Sequence, residues 1–190
     1  MKSRDSHIFP KAKNGFYVEP SWCSERLFQH ERFTGTIWDP ACGWGTITTA
    51  AQQFGYKVDG SDIVDRKKHK LKSFRKRDFL AGGRSQFLTK FSVVTNPPFD
   101  HVEEFARLGL KLGASKVAMI MLVRRLNAAH WMRELPLKKI LLLTPRPSMP
   151  PGEWIAKGNT PGGGTQDFCW AIWSKSHKGA ATVEWLSRDG

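Results

Sequence analysis

Hydrophobic residues along the chain alternate between short apolar runs and stretches with helical spacing. The short runs predict strands at 36–38, 56–61, 91–95, 116–123, 139–143 and 170–173. Apolar residues at helical spacing predict helices at 20–33, 46–54, 102–112 and 127–135. Strands that alternate with helices are typical of a mostly parallel sheet covered on both faces. We therefore expect a single α/β domain over residues 1–190.

Two segments fall outside this alternation. Residues 1–15 form a basic N-terminal arm. Residues 144–166 are rich in proline and glycine, and they separate the last two predicted strands without a helical pattern. Because a parallel connection needs a crossover, usually a helix, this segment predicts a long hairpin-like excursion.

A glycine-containing turn follows the first predicted strand. It spans Asp39 to Gly45, reads DPACGWG and leads directly into a helix. Glycine lets the backbone approach a ligand closely, and a helix N-terminus offers free amide donors. Asp62 ends the second predicted strand, where an acidic side chain commonly binds ribose hydroxyls. The two features predict a nucleoside-containing cofactor, although the third glycine of the dinucleotide fingerprint is missing.

The run Asn96-Pro97-Pro98-Phe99 follows the most β-branched strand, so we expect it at the same edge of the sheet. Asn-Pro also begins many ordinary turns. Its chemistry suits an amine nucleophile, because Asn96 Oδ1 and the Pro97 carbonyl can accept the two amine hydrogens and orient the nitrogen lone pair. The prolines stiffen the turn, and Phe99 offers a face on which a flat base can stack.

The charge of the chain adds a polyanionic partner to this picture. Lys and Arg number 30 against 17 Asp and Glu, which gives a formal net charge of +13 and a pI near 10.0. Lys and Arg gain affinity for nucleic acids by displacing counterions from phosphates. We therefore expect nucleic acid as the partner, although charge does not identify a reaction.

Composition argues against several other classes. Cys23, Cys42 and Cys169 include no CxxC pair, and the six histidines lack metal-ligand spacing, so we expect no disulfide framework and no metal site. No stretch approaches the ~20 apolar residues that span a bilayer. The N-terminus lacks the apolar segment of a secretory signal. These patterns predict a cytoplasmic protein with no membrane partner.

In their order, the motifs resemble those of S-adenosylmethionine-dependent amino-methyltransferases, especially the small phage- and mobile-element-type DNA adenine-N6 methyltransferases. DPACGWG at 39–45 is similar to the cofactor loop, GSDI at 60–63 to the ribose-binding strand end, and RDFL at 77–80 to the adenine-binding segment. The resemblance implies a Rossmann-like class I methyltransferase fold, with a seven-stranded, mostly parallel sheet whose last strand is antiparallel. It also implies S-adenosyl-L-methionine as the cofactor. The chain has no room for a sizeable target-recognition domain.

The resemblance assigns roles to individual residues. FYVEPSWCSERLF at 16–28 is similar to the segment that closes over the methionine end of the cofactor. The implied cofactor-binding residues are Tyr17, Pro20, Asp39, Ala41, Gly43, Gly45, Asp62, Ile63, Asp78 and Phe79. The implied catalytic residues are Asn96, Pro97, Pro98 and Phe99.

Basic and aromatic residues near the same edge predict a nucleic acid surface. The run DRKKHKLKSFRKRD at 65–78 carries eight Lys or Arg residues, and it fits either phosphate binding or a solvated helix face. Trp154 fits either a contact with nucleic acid or a hydrophobic anchor for its own loop. The predicted nucleic-acid-binding residues are Arg66, Lys67, Lys68, Lys70, Arg124, Arg125, Arg146, Trp154 and Lys157.

Adenine N6 in DNA is the predicted methyl acceptor, because the NPPF form favours adenine N6 over cytosine N4 within the family. Adenine in RNA and a protein glutamine amide are alternatives, and the net charge argues against the second. A nucleic-acid-binding relative without catalysis is a third alternative, against which the intact Asp39, Asp62 and Asn96 argue. The sequence leaves the oligomeric state undetermined.

Overall fold

The computed structural model describes residues 12–82 and 89–190. Within these ranges eight strands form one sheet. The strands are β1 (Thr36–Asp39), β2 (Val58–Asp62), β3 (Phe74–Lys76), β4 (Phe91–Thr95), β5 (Lys116–Leu122), β6 (Leu137–Thr144), β7 (Phe168–Ser174) and β8 (Thr182–Ser187). The helices are α1 (Ser21–His30), α2 (Thr46–Gln53), α3 (Val102–Lys111) and α4 (Gly152–Ala156).

The strand order across the sheet is β3-β2-β1-β4-β5-β7-β6-β8. The first five strands in this order pair in parallel, β7 runs antiparallel to β5 and β6, and β8 runs parallel to β6. The predicted α/β class with an antiparallel strand near the C-terminus is therefore confirmed.

The sheet has one strand more than the seven expected. This strand, β8, lies at the outer edge, where Val183 and Trp185 are exposed and Leu186 is buried. An edge strand with so little buried surface carries only a weak apolar pattern, and the sequence interpretation therefore ended at β7. β3 is three residues long and was missed for the same reason.

Alternate residues of the central strands belong to two separate apolar clusters. Val94, Ile120 and Trp170 pack with α1 and α2, whereas their neighbours Val93 and Met119 pack with α3. Successive side chains of a strand point to opposite faces, so the sheet is covered by helices on both sides. This arrangement explains why the central strands are almost continuously apolar.

The predicted helix at 127–135 is not α-helical. Residues 127–135 contain a 3₁₀-helix at His130–Glu134 instead of an α-helix, and Pro136 follows, which disfavours helical geometry in the residue before it. The basic run at 65–78, for which a solvated helix face was one of two interpretations, is irregular from 65 to 73 and then contains β3, so it forms no helix. Lys67 has a φ of 51°, which an α-helix does not accommodate.

The excursion at 144–166 joins the antiparallel neighbours β6 and β7, as its composition predicts. Its short helix α4 begins where the excursion meets the N-terminal segment. Val18 N donates to Pro150 O at 3.0 Å, and Gly152 N donates to Phe16 O at 3.2 Å. Residues 1–11 of the predicted basic arm lie outside the described residues. The N-terminal segment and the 144–166 excursion therefore lie side by side.

The strand order reverses between β1 and β4, because β2 lies outside β1 while β5 lies outside β4. In open α/β sheets the crevice at such a switch point, at the carboxyl ends of the strands, is the usual ligand site. Asp39, Asp62 and Asn96 end or follow β1, β2 and β4, so the fold brings all three to this edge.

Candidate active site

Asp39 and Thr95 connect the carboxyl ends of β1 and β4. Thr95 Oγ1 donates to Asp39 Oδ1 at 2.7 Å, and the backbone amide of Ala41 donates to the same oxygen at 3.1 Å. Asp39 is buried, and burial raises its pKa well above the usual range, while the Thr95 hydrogen bond acts in the opposite direction. This carboxyl group therefore fixes the start of the glycine turn relative to the catalytic run.

Two glycines of the turn need conformations that other residues rarely adopt. Gly43 has a φ of 51° and Gly45, which precedes α2, has a φ of 83°. A Cβ atom on Gly43 would lie 2.5 Å from the ring of Phe16. Phe16 therefore lies against the backbone of the turn, in the space that a side chain at this position would fill.

Asp62, at the end of β2, accepts a hydrogen bond from the same glycine turn. Its Oδ2 accepts a hydrogen bond from Gly43 N at 2.9 Å, and its Oδ1 accepts hydrogen bonds from Val64 N at 2.9 Å and from Arg66 Nη1 at 2.8 Å. Because a carboxylate offers about four lone-pair positions, Oδ2 retains capacity for another donor such as a ribose hydroxyl.

A pocket opens between these elements and contains about 890 Å³ of empty space, part of it open to solvent. Of the fourteen predicted cofactor-binding and catalytic residues, ten line it: Tyr17, Asp39, Ala41, Gly43, Asp62, Ile63, Asp78, Phe79, Asn96 and Pro98. Ile63 is 44% exposed, so its side chain presents apolar surface at the pocket. Pro20, Gly45, Pro97 and Phe99 lie outside the lining: Pro20 caps α1, and Gly45 precedes α2.

One wall of the pocket was not predicted. The guanidinium carbon of Arg66 lies 3.9 Å from the centre of the Phe16 ring, whose edge contacts Trp44 at a centroid distance of 5.4 Å. The side chain of Arg66 is only 13% exposed and is paired with Asp62. Arg66, which the basic run predicts to lie on a nucleic acid surface, instead lies in the wall of this pocket.

Asn96 lies at the other end of the pocket, with a fixed side-chain orientation. Its Nδ2 donates to the Tyr17 carbonyl at 3.2 Å and to Glu19 Oε2 at 2.8 Å. Its Oδ1 forms no hydrogen bond to any residue in the described ranges. The oxygen is therefore available as an acceptor at the edge of the pocket.

Glu19 is a site residue that sequence analysis missed. It lines the pocket next to Asn96 and is only 7% exposed. Burial raises the pKa of Glu19 to about 7, against the opposing effect of the Asn96 hydrogen bond. Its position in the FYVEP segment carries no sequence signal for burial, since glutamate is almost never fully buried.

Phe99 lines a second cavity, separated from the first by Tyr17, which borders both. The rings of Phe99 and Tyr17 stack at 5.5 Å with an interplanar angle of 15°, and Phe168 lies 5.7 Å away. Arg124 and Gln166 also line this cavity. It is thus an aromatic cavity with polar groups at its rim, adjacent to the catalytic run.

The other predicted nucleic-acid-binding residues are dispersed around this edge. Arg146 pairs with Asp167 at 2.6 Å, and Arg125 pairs with Asp100 at 3.4 Å. Lys68 Nζ lies 3.8 Å from the centre of the Trp44 ring. Lys67, Lys70, Arg124 and Lys157 are exposed, and Trp154 is half-buried in α4 with its carbonyl accepting from Asn159.

Comparison with known proteins identifies the fold. Neither family models nor curated sequences give a match. Among solved structures, a putative RNA methyltransferase from Pyrococcus horikoshii has a TM-score of 0.57 and 16% identity, over 90% of this chain and 93% of that one. A predicted O-methyltransferase from Agrobacterium tumefaciens has a TM-score of 0.57 and 14% identity, over 88% and 85%. The 23S rRNA methyltransferase ErmE has a TM-score of 0.53 and 10% identity, over 85% and 70%.

The chain therefore has the Rossmann-like fold of class I methyltransferases, as its motifs predict. No helix in the described ranges is long and apolar enough to cross a membrane. In the same ranges, no group of three His, Cys, Asp or Glu residues is arranged to hold a metal ion. Cys23, Cys42 and Cys169 are free and buried.

Proposed function

We propose that this protein transfers a methyl group from S-adenosylmethionine to N6 of adenine in DNA. The observation that carries the proposal is the orientation of Asn96, whose amide nitrogen is held by two protein acceptors so that its oxygen remains available beside the pocket. An acceptor oxygen at this place suits a substrate that brings N–H donors, such as an exocyclic amine.

The residues of the pocket fit S-adenosylmethionine, which supplies a methyl group on a positively charged sulfonium. The lining contains four carboxyl groups, on Glu19, Asp39, Asp62 and Asp78, and one arginine. Burial favours the neutral form of Asp39, and Asp62 is paired with Arg66, so the negative charge that suits a cationic ligand comes from Asp78 and from the ionised form of Glu19. Asp62 Oδ2 would bind the ribose, and Ile63 would cover the base. Asp78, whose Oδ1 accepts from Leu80 N at 2.9 Å, would contact the adenine edge.

The catalytic run would act by positioning. Asn96 Oδ1 and the Pro97 carbonyl accept the two hydrogens of the amine, which draws its lone pair out of the ring and directs it towards the cofactor pocket. The nitrogen would take the methyl group as its bond to the sulfonium sulfur breaks, and the methylated cation would then release one of its protons to solvent. No strong base is needed, because a neutral amine already carries the lone pair that attacks. The cavity beside Phe99 would hold the base that carries the amine.

The choice of DNA rests on the resemblance of the NPPF run to DNA adenine-N6 methyltransferases. RNA is the second candidate substrate, because two of the similar structures are described as RNA methyltransferases. A target base inside a duplex must leave the stack to reach a cavity of this kind. We therefore expect unpaired or mismatched adenines to react fastest.

Incubation with methyl-labelled S-adenosylmethionine and separate pools of DNA, RNA and protein tests the proposal. We expect label in DNA, recovered as N6-methyl-2′-deoxyadenosine after digestion to nucleosides, with faster incorporation into single-stranded than into duplex substrate. Label in RNA alone would show that RNA, the second candidate, is the substrate in place of DNA. Label only in protein, or in no pool, would overturn the proposal.

The exposed lysines after β2 provide a second test. Replacing Lys67, Lys68 and Lys70 with glutamine should weaken DNA binding, and it should reduce the slope of log K against log salt by about 0.9 for each phosphate that a lysine no longer neutralises. The measurement is fluorescence anisotropy with labelled DNA over a range of salt concentrations.

The matched control replaces Lys111, Lys175 and Lys178, which are exposed at the opposite edge of the sheet. Both triple variants remove the same charge, so a general electrostatic effect would lower both slopes equally. An unchanged slope in the first variant would show that these lysines form solvated surface.

A further inference from the structure

Glu19 is a buried carboxyl group whose burial no ion pair explains. It is 7% exposed, and in the described ranges it has no salt bridge. Burying an unpaired carboxylate is costly, and buried acids are normally paired or bound to a metal. Among the residues of 12–82 and 89–190, the one side-chain hydrogen-bond partner of Glu19 is Asn96, at 2.8 Å. A residue placed at such cost beside the central residue of the candidate site calls for a functional explanation.

The two hydrogen-bond partners of the Asn96 amide nitrogen constrain the orientation of the side chain differently. The Tyr17 carbonyl accepts hydrogen bonds in every condition, and it contacts Nδ2 at 3.2 Å. The Glu19 carboxylate also accepts only, but a protonated carboxyl group can donate as well. In the reversed amide, Asn96 Oδ1 would face both acceptors. The Tyr17 carbonyl therefore disfavours it in every condition, and the closer Glu19 carboxylate adds a second constraint that is lost when Glu19 is protonated.

We propose that Glu19 is a positioning residue: as a carboxylate it holds Asn96 Nδ2 and so keeps Asn96 Oδ1 turned towards the methyl acceptor. This inference rests on the proposed function of Asn96. Protonation of Glu19 removes one of the two constraints on the amide, so a larger fraction of Asn96 is reversed and presents a donor to an amine that also brings donors. The reactive orientation is thus coupled to the charge of a residue outside the catalytic run.

The groups around Glu19 determine the pH range in which its charge controls the orientation of Asn96. Burial raises the pKa of Glu19 to about 7, and the Asn96 hydrogen bond counteracts part of this effect. Asp39 on β1 and Cys23 on α1 face Glu19, and the negative charge of Glu19 raises the pKa of both. Since Glu19 must be ionised to fix Asn96, turnover should increase as the pH rises through about 7.

Glu19→Gln tests the inference, because glutamine keeps the shape and remains neutral at every pH. We expect the kcat of the wild type, at saturating cofactor and substrate, to rise about tenfold between pH 5.5 and 8.5. The Glu19→Gln variant should stay near the low-pH value of the wild type across this range. A variant with the wild-type kcat and pH profile would overturn the inference.

Glu31→Gln is the matched control. Glu31 is also buried, but it binds Lys116 and Lys138, away from the pocket. This variant should keep the pH profile of the wild type, even where it lowers stability. A Glu31→Gln profile as flat as that of Glu19→Gln would show that loss of any buried carboxylate has this effect, and would overturn the inference.

A second measurement is independent of turnover. The side-chain amide signal of Asn96, followed by NMR in the wild type, should shift with a midpoint near pH 7, and this shift should be absent in Glu19→Gln. A shift without methylation of any polymer would refute the proposed function and support the coupling. Methylation without such a shift would support the proposed function and refute the coupling.

Discussion

Asn96→Ala will lower the rate of methyl transfer by about 10²–10³-fold, the usual loss when one preorganised hydrogen-bonding group is removed from a reacting centre. The substitution deletes Oδ1, the acceptor available at the pocket, and it leaves the hydrogen bond between Thr95 and Asp39 and the glycine turn intact. Binding of S-adenosylhomocysteine, measured by calorimetry, should therefore change by less than about threefold.

Asn127→Ala is the control for the removal of an asparagine side chain, because Asn127 is exposed and lies outside the pocket. This variant should retain the wild-type kcat. Substantial turnover by Asn96→Ala would refute the assigned role of Asn96, since no other side-chain oxygen in the described part of the run could replace Oδ1.

Asp62→Ala will weaken cofactor binding by about 100-fold or more, equivalent to about 2.7 kcal/mol. Asp62 accepts from Gly43 N, Val64 N and Arg66 Nη1, so its removal releases the glycine turn and leaves Arg66 without its partner. The substitution also removes the proposed hydrogen bond to the ribose, and hydrogen bonds to charged groups contribute about 1.5–3 kcal/mol each. Calorimetric titration with S-adenosylhomocysteine measures the effect.

Asp59→Ala separates this effect from general damage to β2. Asp59 lies on the same strand, is also buried and binds Arg75, but it does not line the pocket. The Asp59→Ala substitution should lower the free energy of unfolding and leave the dissociation constant of the cofactor unchanged. Equal losses of affinity in the two variants would contradict the assigned role of Asp62.

The sequence motifs identify residues of the candidate site because the role of each motif depends on a short continuous segment. DPACGWG contains the two glycines with positive φ, and an L-residue with a side chain is strained at either place. Asp62 and Asn96 each follow a clear apolar strand, and parallel strands bring their carboxyl ends to one edge of the sheet. Local sequence therefore predicts these residues and their meeting.

The basic run shows where pattern reasoning was insufficient. Its charge density is evident in the sequence, but Arg66 turns inward to Asp62 and Phe16 while its neighbours Lys67 and Lys68 are exposed. These neighbouring basic residues differ in orientation because Asp62, four residues before Arg66, supplies a buried partner for it. Charge composition does not contain that information.

Local conformational preference and apolar periodicity are enough to predict the fold class and the glycine turn, and they mark Asn96–Phe99 as the candidate catalytic run. The edge strand β8, the Phe16–Arg66 wall and the hydrogen bond between Asn96 and Glu19 depend instead on tertiary packing. Glu19 and Asn96 are 77 residues apart in the chain. Their hydrogen bond, and the burial that raises the pKa of Glu19, arise from packing between distant segments, for which neither residue carries a local signal.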